Sequence, residues 1–171
     1  VPIGSPLDRE ARTRGNSCYF PQSVEPMFPP ALSNGLCSLN PQVPRLAMVV
    51  DMTMSLKGKR LRAEYYPAVI RSQSRLTYSQ VKAAVLDEDP RSREEIQDVL
   101  PMLEKAHALA RQLHDRRRER GSLDFDLPEP ELLFTLQGET RDIRPRARHF
   151  GHQIIEEFMI TANEAVAEYL Q

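Results

Sequence analysis

The sequence predicts an α+β fold in which β-hairpins pack with amphipathic helices. Two observations carry that reading. Two pairs of apolar, β-prone runs are each separated by a short glycine-bearing turn, which is the mark of a hairpin. The helical patterns are gathered between and after these hairpins instead of alternating with single strands, and such segregation indicates α+β.

The elements follow in order along the 171 residues. Residues 1–45 hold Pro2, Pro6, Pro21, Pro26, Pro29, Pro30, Pro41 and Pro44, eight of the 14 prolines, so extended segments and turns are expected there. One helical turn is expected around Leu7 to Arg14. Leu46 to Ser55 is β-rich, Lys57-Gly58-Lys59 supplies a turn, and Arg60 to Arg71 returns. Thr77 is placed to cap a helix running to about Leu86, which Asp87-Glu88-Asp89-Pro90 interrupts. Ser92 with Glu95 has the spacing of a capping box for the next helix. Ile96, Val99, Leu100, Leu103, Ala106, Leu109, Ala110 and Leu113 give that helix one apolar face up to about Arg120. Pro101 predicts a kink or restart within it, and Gly121 its end. Leu132 to Leu136 and Thr140 to Ile143 read as a second hairpin around Gln137-Gly138-Glu139. Ile154, Ile155, Phe158, Met159, Ala162, Val166 and Tyr169 then form the stripe of an amphipathic helix to the C-terminus.

Composition excludes little. Hydrophobic residues make up 40% and charged residues 27%, an ordinary globular balance. Net charge is −1, so global charge argues neither for nor against a nucleic-acid partner. Local charge is more telling. Arg116, Arg117, Arg118 and Arg120 crowd one helix end, where nearby Glu makes a solvated face an equally good reading. Arg141, Arg144, Arg146, Arg148, His149 and His152 form a basic run with only Asp142 as counter-charge, which suits phosphate contact better. Cys18 and Cys37 are too few for a disulfide framework and lack zinc spacing, so a reducing, cytoplasmic setting is expected. No apolar run approaches a membrane span and no signal peptide is visible, so no membrane partner is expected.

The segment Pro29-Pro30-Ala31-Leu32-Ser33-Asn34-Gly35-Leu36-Cys37-Ser38-Leu39-Asn40-Pro41, followed by Arg45, makes a poor helix and a poor strand. An ordered segment of this kind usually shapes a site. Acidic sets at Asp87-Glu88-Asp89 and Asp124/Asp126 do not make a convincing metal site. The first reads as a solvated loop, and alternation puts both carboxylates of the second on the face opposite Phe125. Glu156 and Glu157 sit on adjacent helical positions about 100° apart, so both are not expected to face one partner, and Glu156 is read as closer to the apolar stripe.

Several blocks in order resemble the catalytic (RNB) domain of the ribonuclease II / ribonuclease R family. They include Gly4-Ser5-Pro6-Leu7-Asp8, Arg14-Gly15-Asn16-Ser17, Tyr19-Phe20-Pro21, Pro26-Met27-Phe28-Pro29, the Leu-Ser-Asn-Gly-Leu-Cys-Ser-Leu run at 32–39, and Arg45-Leu46-Ala47-Met48. Arg75-Leu76-Thr77-Tyr78, Phe125-Asp126, Pro128-Glu129 and the run from Ile154 to Val166 continue the series. One departure is Pro44, where many relatives carry Asp before the Arg. The resemblance implies a magnesium-dependent exoribonuclease that removes nucleotides from the 3′ end of single-stranded RNA. It implies that Tyr19 and Phe125 stack at the two ends of the bound RNA, and that Glu156 lies near the terminal ribose. A lone aromatic would otherwise be read as core, and a lone Glu as surface. Arg45 and the Arg144, Arg146 and Arg148 run are weaker candidates for phosphate contact, and Arg45 serves equally as a structural anchor.

The family's magnesium-binding aspartates lie upstream of the region matched, and its later arginine block lies downstream. Residues 1–171 are therefore expected to be a partial RNB domain, with the magnesium ligands outside this chain and the remaining parts of the same nuclease as partners. Three functions stay open: a segment of an active nuclease, a module that binds RNA without cutting it, or an inactive truncated fragment that self-associates.

Overall fold

Ser5 shows how the first expected helix begins. Its hydroxyl accepts a hydrogen bond from the Asp8 amide at 3.2 Å, and Pro6 occupies the first turn, where its missing N–H costs nothing. The resulting helix α1 (Pro6–Arg14) ends at Gly15, whose φ of 74° suits glycine and whose amide donates to the Ala11 carbonyl. The structure, a computed structural model, describes residues 1–20, 22–123, 130–135, 140–145 and 150–171. The chain divides into two units. The first comprises residues 1–47 and 68–75, the second residues 48–67 and 76–171.

In the first unit a two-residue pair, β1 (Cys18–Tyr19) and β2 (Val24–Glu25), runs antiparallel, with Tyr19 opposite Val24. Ala31–Leu36 then forms one short π-helical turn, where an irregular segment was expected. Pro29 and Pro30 supply the reason: their fixed φ pre-organises a helical start. The Pro29 carbonyl accepts from the Leu32 amide, the Ser33 amide and the Ser33 hydroxyl, and Cys37 N donates back to Leu32 O at 2.8 Å. Gln42 holds the end of this segment through a 2.6 Å bond from its side chain to Gln73 O and contacts with Arg71.

The first expected hairpin forms from β3 (Pro44–Met54) and β4 (Arg60–Arg71). Its turn closes where Ser55 N donates to Lys59 O and Gly58 N to Ser55 O. Gly58 is required there. Its φ is +67°, and an added Cβ would lie 3.1 Å from the Gln112 Cβ.

In the second unit Thr77 caps α2 (Tyr78–Val81) in a full capping box with Gln80, and the chain runs on as a π-helical stretch, Lys82–Leu86. The next cap differs from the expected one. Asp89, not Ser92, caps α3 (Pro90–Glu95): its carboxylate accepts from both the Ser92 amide at 2.8 Å and the Ser92 hydroxyl at 2.6 Å. Pro90 decides this, because proline favours the first helical position and so places the cap on the residue just before it, three positions ahead of Ser92. A break at 96–99 separates α3 from α4 (Leu100–Glu119), with Pro101 in the first turn. The expected alternative of a restart is thus the one realised. Ala84, Val85, Ile96 and Leu103 make the core here, with Leu76, Val81, Val99 and Leu100 packed around it.

The second hairpin is β5 (Pro130–Phe134) with β6 (Thr140–Pro145), antiparallel, with Leu132 opposite Ile143 and a bulge after Leu133. Helix α5 (Phe150–Leu170) packs on α4, burying Ile154 and Ala165 on one side and Ala110 and Leu113 on the other. Tyr65 of β4 fixes the far end of α5, donating to Ala165 O at 2.6 Å and lying 4.6 Å from the Tyr169 ring. The α+β expectation therefore holds, with three two-stranded sheets among the described residues.

Candidate nucleic-acid interface

Helix α5 has a polar core position that sequence periodicity alone assigns wrongly. The inward face runs through Ile154, Glu157 and Ala165, whereas Ile155 and Met159, expected in the stripe, are 45% and 59% exposed. Glu157 is the buried carboxylate, with 2% of its surface exposed, and Glu156 is half-buried. The expected ordering of the two glutamates against the apolar stripe is thus reversed. The three-residue step from Ile154 reaches Glu157, not Glu156, on the same side of the helix.

A buried carboxylate persists when charge and hydrogen bonds compensate its lost hydration. Arg117 and His114, three positions apart on α4, supply both. Arg117 Nη2 lies 2.7 Å from Glu157 Oε1, and Nε lies 3.2 and 3.3 Å from its two oxygens. His114 Nδ1 is 3.0 Å from Oε1. The same guanidinium approaches Glu156 at 3.9 Å and donates through Nη1 to Ser122 Oγ at 2.9 Å. Two adjacent carboxylates therefore do share one partner, contrary to expectation, because the long arginine side chain comes between them. Of the clustered arginines at the end of α4, only Arg117 turns inward. Arg120 pairs with Glu164 at the surface, and Arg60 of β4 pairs with Glu168. These pairs line a cavity of about 180 Å³ with Lys59, Arg116 and Gly58.

The other expected site residues divide between the units. In the first, Tyr19 is 80% exposed on β1, a placement open to stacking. Arg45 acts as the anchor of the preceding loop. Its Nε donates to Ser38 O at 2.9 Å and its Nη1 to Pro44 O at 3.0 Å. In the second, Arg144 is exposed on β6 opposite Glu131. His152, from the same basic run, stacks on Tyr78 with ring centres 4.1 Å apart. Phe125, Arg146 and Arg148 lie outside the described residues. Sequence reasoning missed Arg117, His114 and Glu157. The available signal was their spacing: His114 follows Leu113 on the buried face of α4, and Arg117 follows one turn on.

Among the described residues no three His, Cys, Asp or Glu side chains converge on one point. No helix among them is long and apolar enough to cross a membrane.

Comparison with known proteins agrees with the sequence blocks. The model of the RNB domain family matches residues 1–171. Ribonuclease R of Vibrio parahaemolyticus is 47% identical over 167 residues, covering 98% of this chain and 20% of that protein. The chain thus spans about a fifth of the length of the curated relatives it matches. Mycoplasma genitalium RNase R, solved in complex with ribose-methylated single-stranded RNA, superposes with a TM-score of 0.89 at 30% identity, covering 99% of this chain and 26% of that one. Yeast Ssd1, described as a pseudonuclease, shares the fold at 20% identity, with a TM-score of 0.68 over 98% of this chain and 20% of that one. With the family match running from the first residue to the last, this chain belongs to the RNB domain family.

Proposed function

We propose that this chain is the central part of the catalytic domain of a 3′→5′ hydrolytic exoribonuclease that degrades single-stranded RNA. The observation that carries the reading is the similarity to ribonuclease R over 98% of the chain. The exposed ring of Tyr19 supports it, because an aromatic face binds any base without reading sequence. On this reading Tyr19 and Phe125 stack on the RNA, Glu156 lies at the terminal ribose, and Arg144, Arg146 and Arg148 contact phosphates. Arg45 contributes as the anchor of the Ser33 to Leu39 loop. The magnesium on which hydrolysis depends is held by carboxylates outside these 171 residues, and the remaining parts of the same nuclease complete the site. The enzyme acts in the cytoplasm, where both exposed cysteines stay reduced.

The fold by itself does not carry activity, since the pseudonuclease Ssd1 shares it. A module that binds RNA without cutting it is the competing reading. A magnesium time course on 5′-labelled single-stranded RNA separates the two. The full-length ribonuclease carrying this stretch should shorten the label from the 3′ end, while the isolated 171 residues should leave it intact. Intact RNA with both preparations, together with salt-dependent binding, would replace the exoribonuclease reading with the binding module. Robust mononucleotide release by the isolated chain would overturn the assignment of the magnesium ligands.

A further inference from the structure

We infer that Arg117 is a positioning residue for the RNA 3′ end, holding Glu156 and Ser122 in one arrangement. The inference deepens the exoribonuclease reading and rests on it. Its starting point is the fixed side of the network. Glu157 is 2% exposed on a helix packed against α4, and its carboxylate meets two donor side chains, so it sets where the guanidinium lies. A guanidinium is planar, and its donors point in fixed directions. Once Nε and Nη2 are set on Glu157, Nη1 has one direction left, and it ends on Ser122 Oγ at 2.9 Å. Ser122 lies three residues before Phe125 in the chain. The same Nη2 faces Glu156 at 3.9 Å. One buried anchor thus reaches both the candidate ribose glutamate and the start of the segment bearing the candidate stacking ring.

Stability alone does not call for this arrangement. Helices α4 and α5 already bury Ala110, Leu113, Ile154 and Ala165, and apolar side chains commonly replace a buried ion pair without loss of stability. Nor does a purely structural pair need a hydrogen bond to a loop serine outside the helix, or a second carboxylate at the surface. One of these contacts is to Glu156 itself, and the other is to Ser122, three positions before Phe125 in the sequence.

The test uses the full-length ribonuclease carrying this stretch and RNA with 2-aminopurine at its 3′ end. Arg117→Lys keeps the charge and loses the fork. Ser122→Ala leaves the Arg117–Glu157 pair in place and cuts only the tie to the loop. Arg117→Lys should lower kcat about 10- to 100-fold, as small misplacements of reacting groups do. RNA affinity should change less than about twofold, since the phosphate contacts that dominate it lie elsewhere. Ser122→Ala should lower kcat by a smaller factor, and both variants should raise the 2-aminopurine fluorescence as stacking loosens. Wild-type kcat in both variants, or lost affinity with unchanged kcat, would overturn the proposal. If Arg117→Lys fails to fold, Ser122→Ala decides between these outcomes. A wild-type protein that leaves RNA intact would instead remove the exoribonuclease reading, and this inference with it.

Discussion

Glu157→Ala is the perturbation whose size follows most directly from the geometry. Removing this carboxylate takes from Arg117 its contacts at 2.7, 3.2 and 3.3 Å, and from His114 its contact at 3.0 Å. Breaking a buried ion pair by deleting one partner costs about 3–5 kcal/mol, because the other charge is left desolvated. The orphaned groups are not sealed from water: Arg117 is 16% exposed and His114 15%. The lower end, about 3 kcal/mol, therefore applies. For a chain of this size that corresponds to a fall in Tm of about 6–12 °C. The assay is thermal and urea unfolding followed by far-UV circular dichroism, on wild type, Glu157→Ala, Arg117→Met and the double variant Glu157→Leu/Arg117→Met. The double variant should regain most of the loss, since it leaves no buried charge behind. A loss below about 1 kcal/mol for Glu157→Ala would place the pair on the scale of surface salt bridges and refute its burial as the source of its energy. Single and double losses that simply add would refute the coupling.

Two further outcomes are expected. Tyr19→Ala should weaken single-stranded RNA binding by about 1–3 kcal/mol whatever the sequence, with the slope of affinity against salt unchanged, because a ring stacks and carries no charge; an altered slope at unaltered affinity, in a filter-binding series over salt concentration, would show that Tyr19 does not stack. The two bonds from Ser92 hold the Asp89 carboxyl below its ordinary pKa of 3.8, so the cap is fully present above that value and is lost as pH falls through the lowered one; protection of the Ser92 amide from exchange, taken relative to an unstructured amide at the same pH, should fall across that acid window, and Asp89→Ala should abolish this change in protection.

How much of this was legible in the sequence depends on what fixes each feature. The strands of both hairpins, the Thr77 cap, the restart at Pro101 and the end near Gly121 arise from local chemistry, namely β-prone runs, the turn glycine Gly58 and capping side chains, and all are present, while the second hairpin's expected turn at Gln137-Gly138-Glu139 lies outside the described residues. The displaced cap at Asp89 was also local. Ser92 and Glu95 matched a capping pattern, but Pro90 settles the register before that pattern can apply. The π-helical turn at Ala31–Leu36 was harder to read, because serine, asparagine and glycine all argue for a loop. Only the prolines ahead of it and the Ser33 hydroxyl, which bonds Phe28 O and Pro29 O, make a helical turn favourable.

The inward glutamate was illegible for a different reason. A stripe read from apolar residues alone cannot register a buried charge, because the carboxylate at 157 becomes tolerable only through partners forty and more positions earlier in the chain. Arg117 in turn looked like one member of a solvated cluster, and only its place one turn after Leu113 sets it apart from its neighbours. Each half of the network is unfavourable by itself and favourable only as a pair, so neither residue advertises it. Local patterns therefore locate the helices, while the long-range pair decides which of two adjacent glutamates is held rigid inside and which, at 3.9 Å from the same arginine, is presented at the surface. That division gives Glu156 a charged neighbour in Arg117 without burying it, which suits the ribose-side role proposed for it.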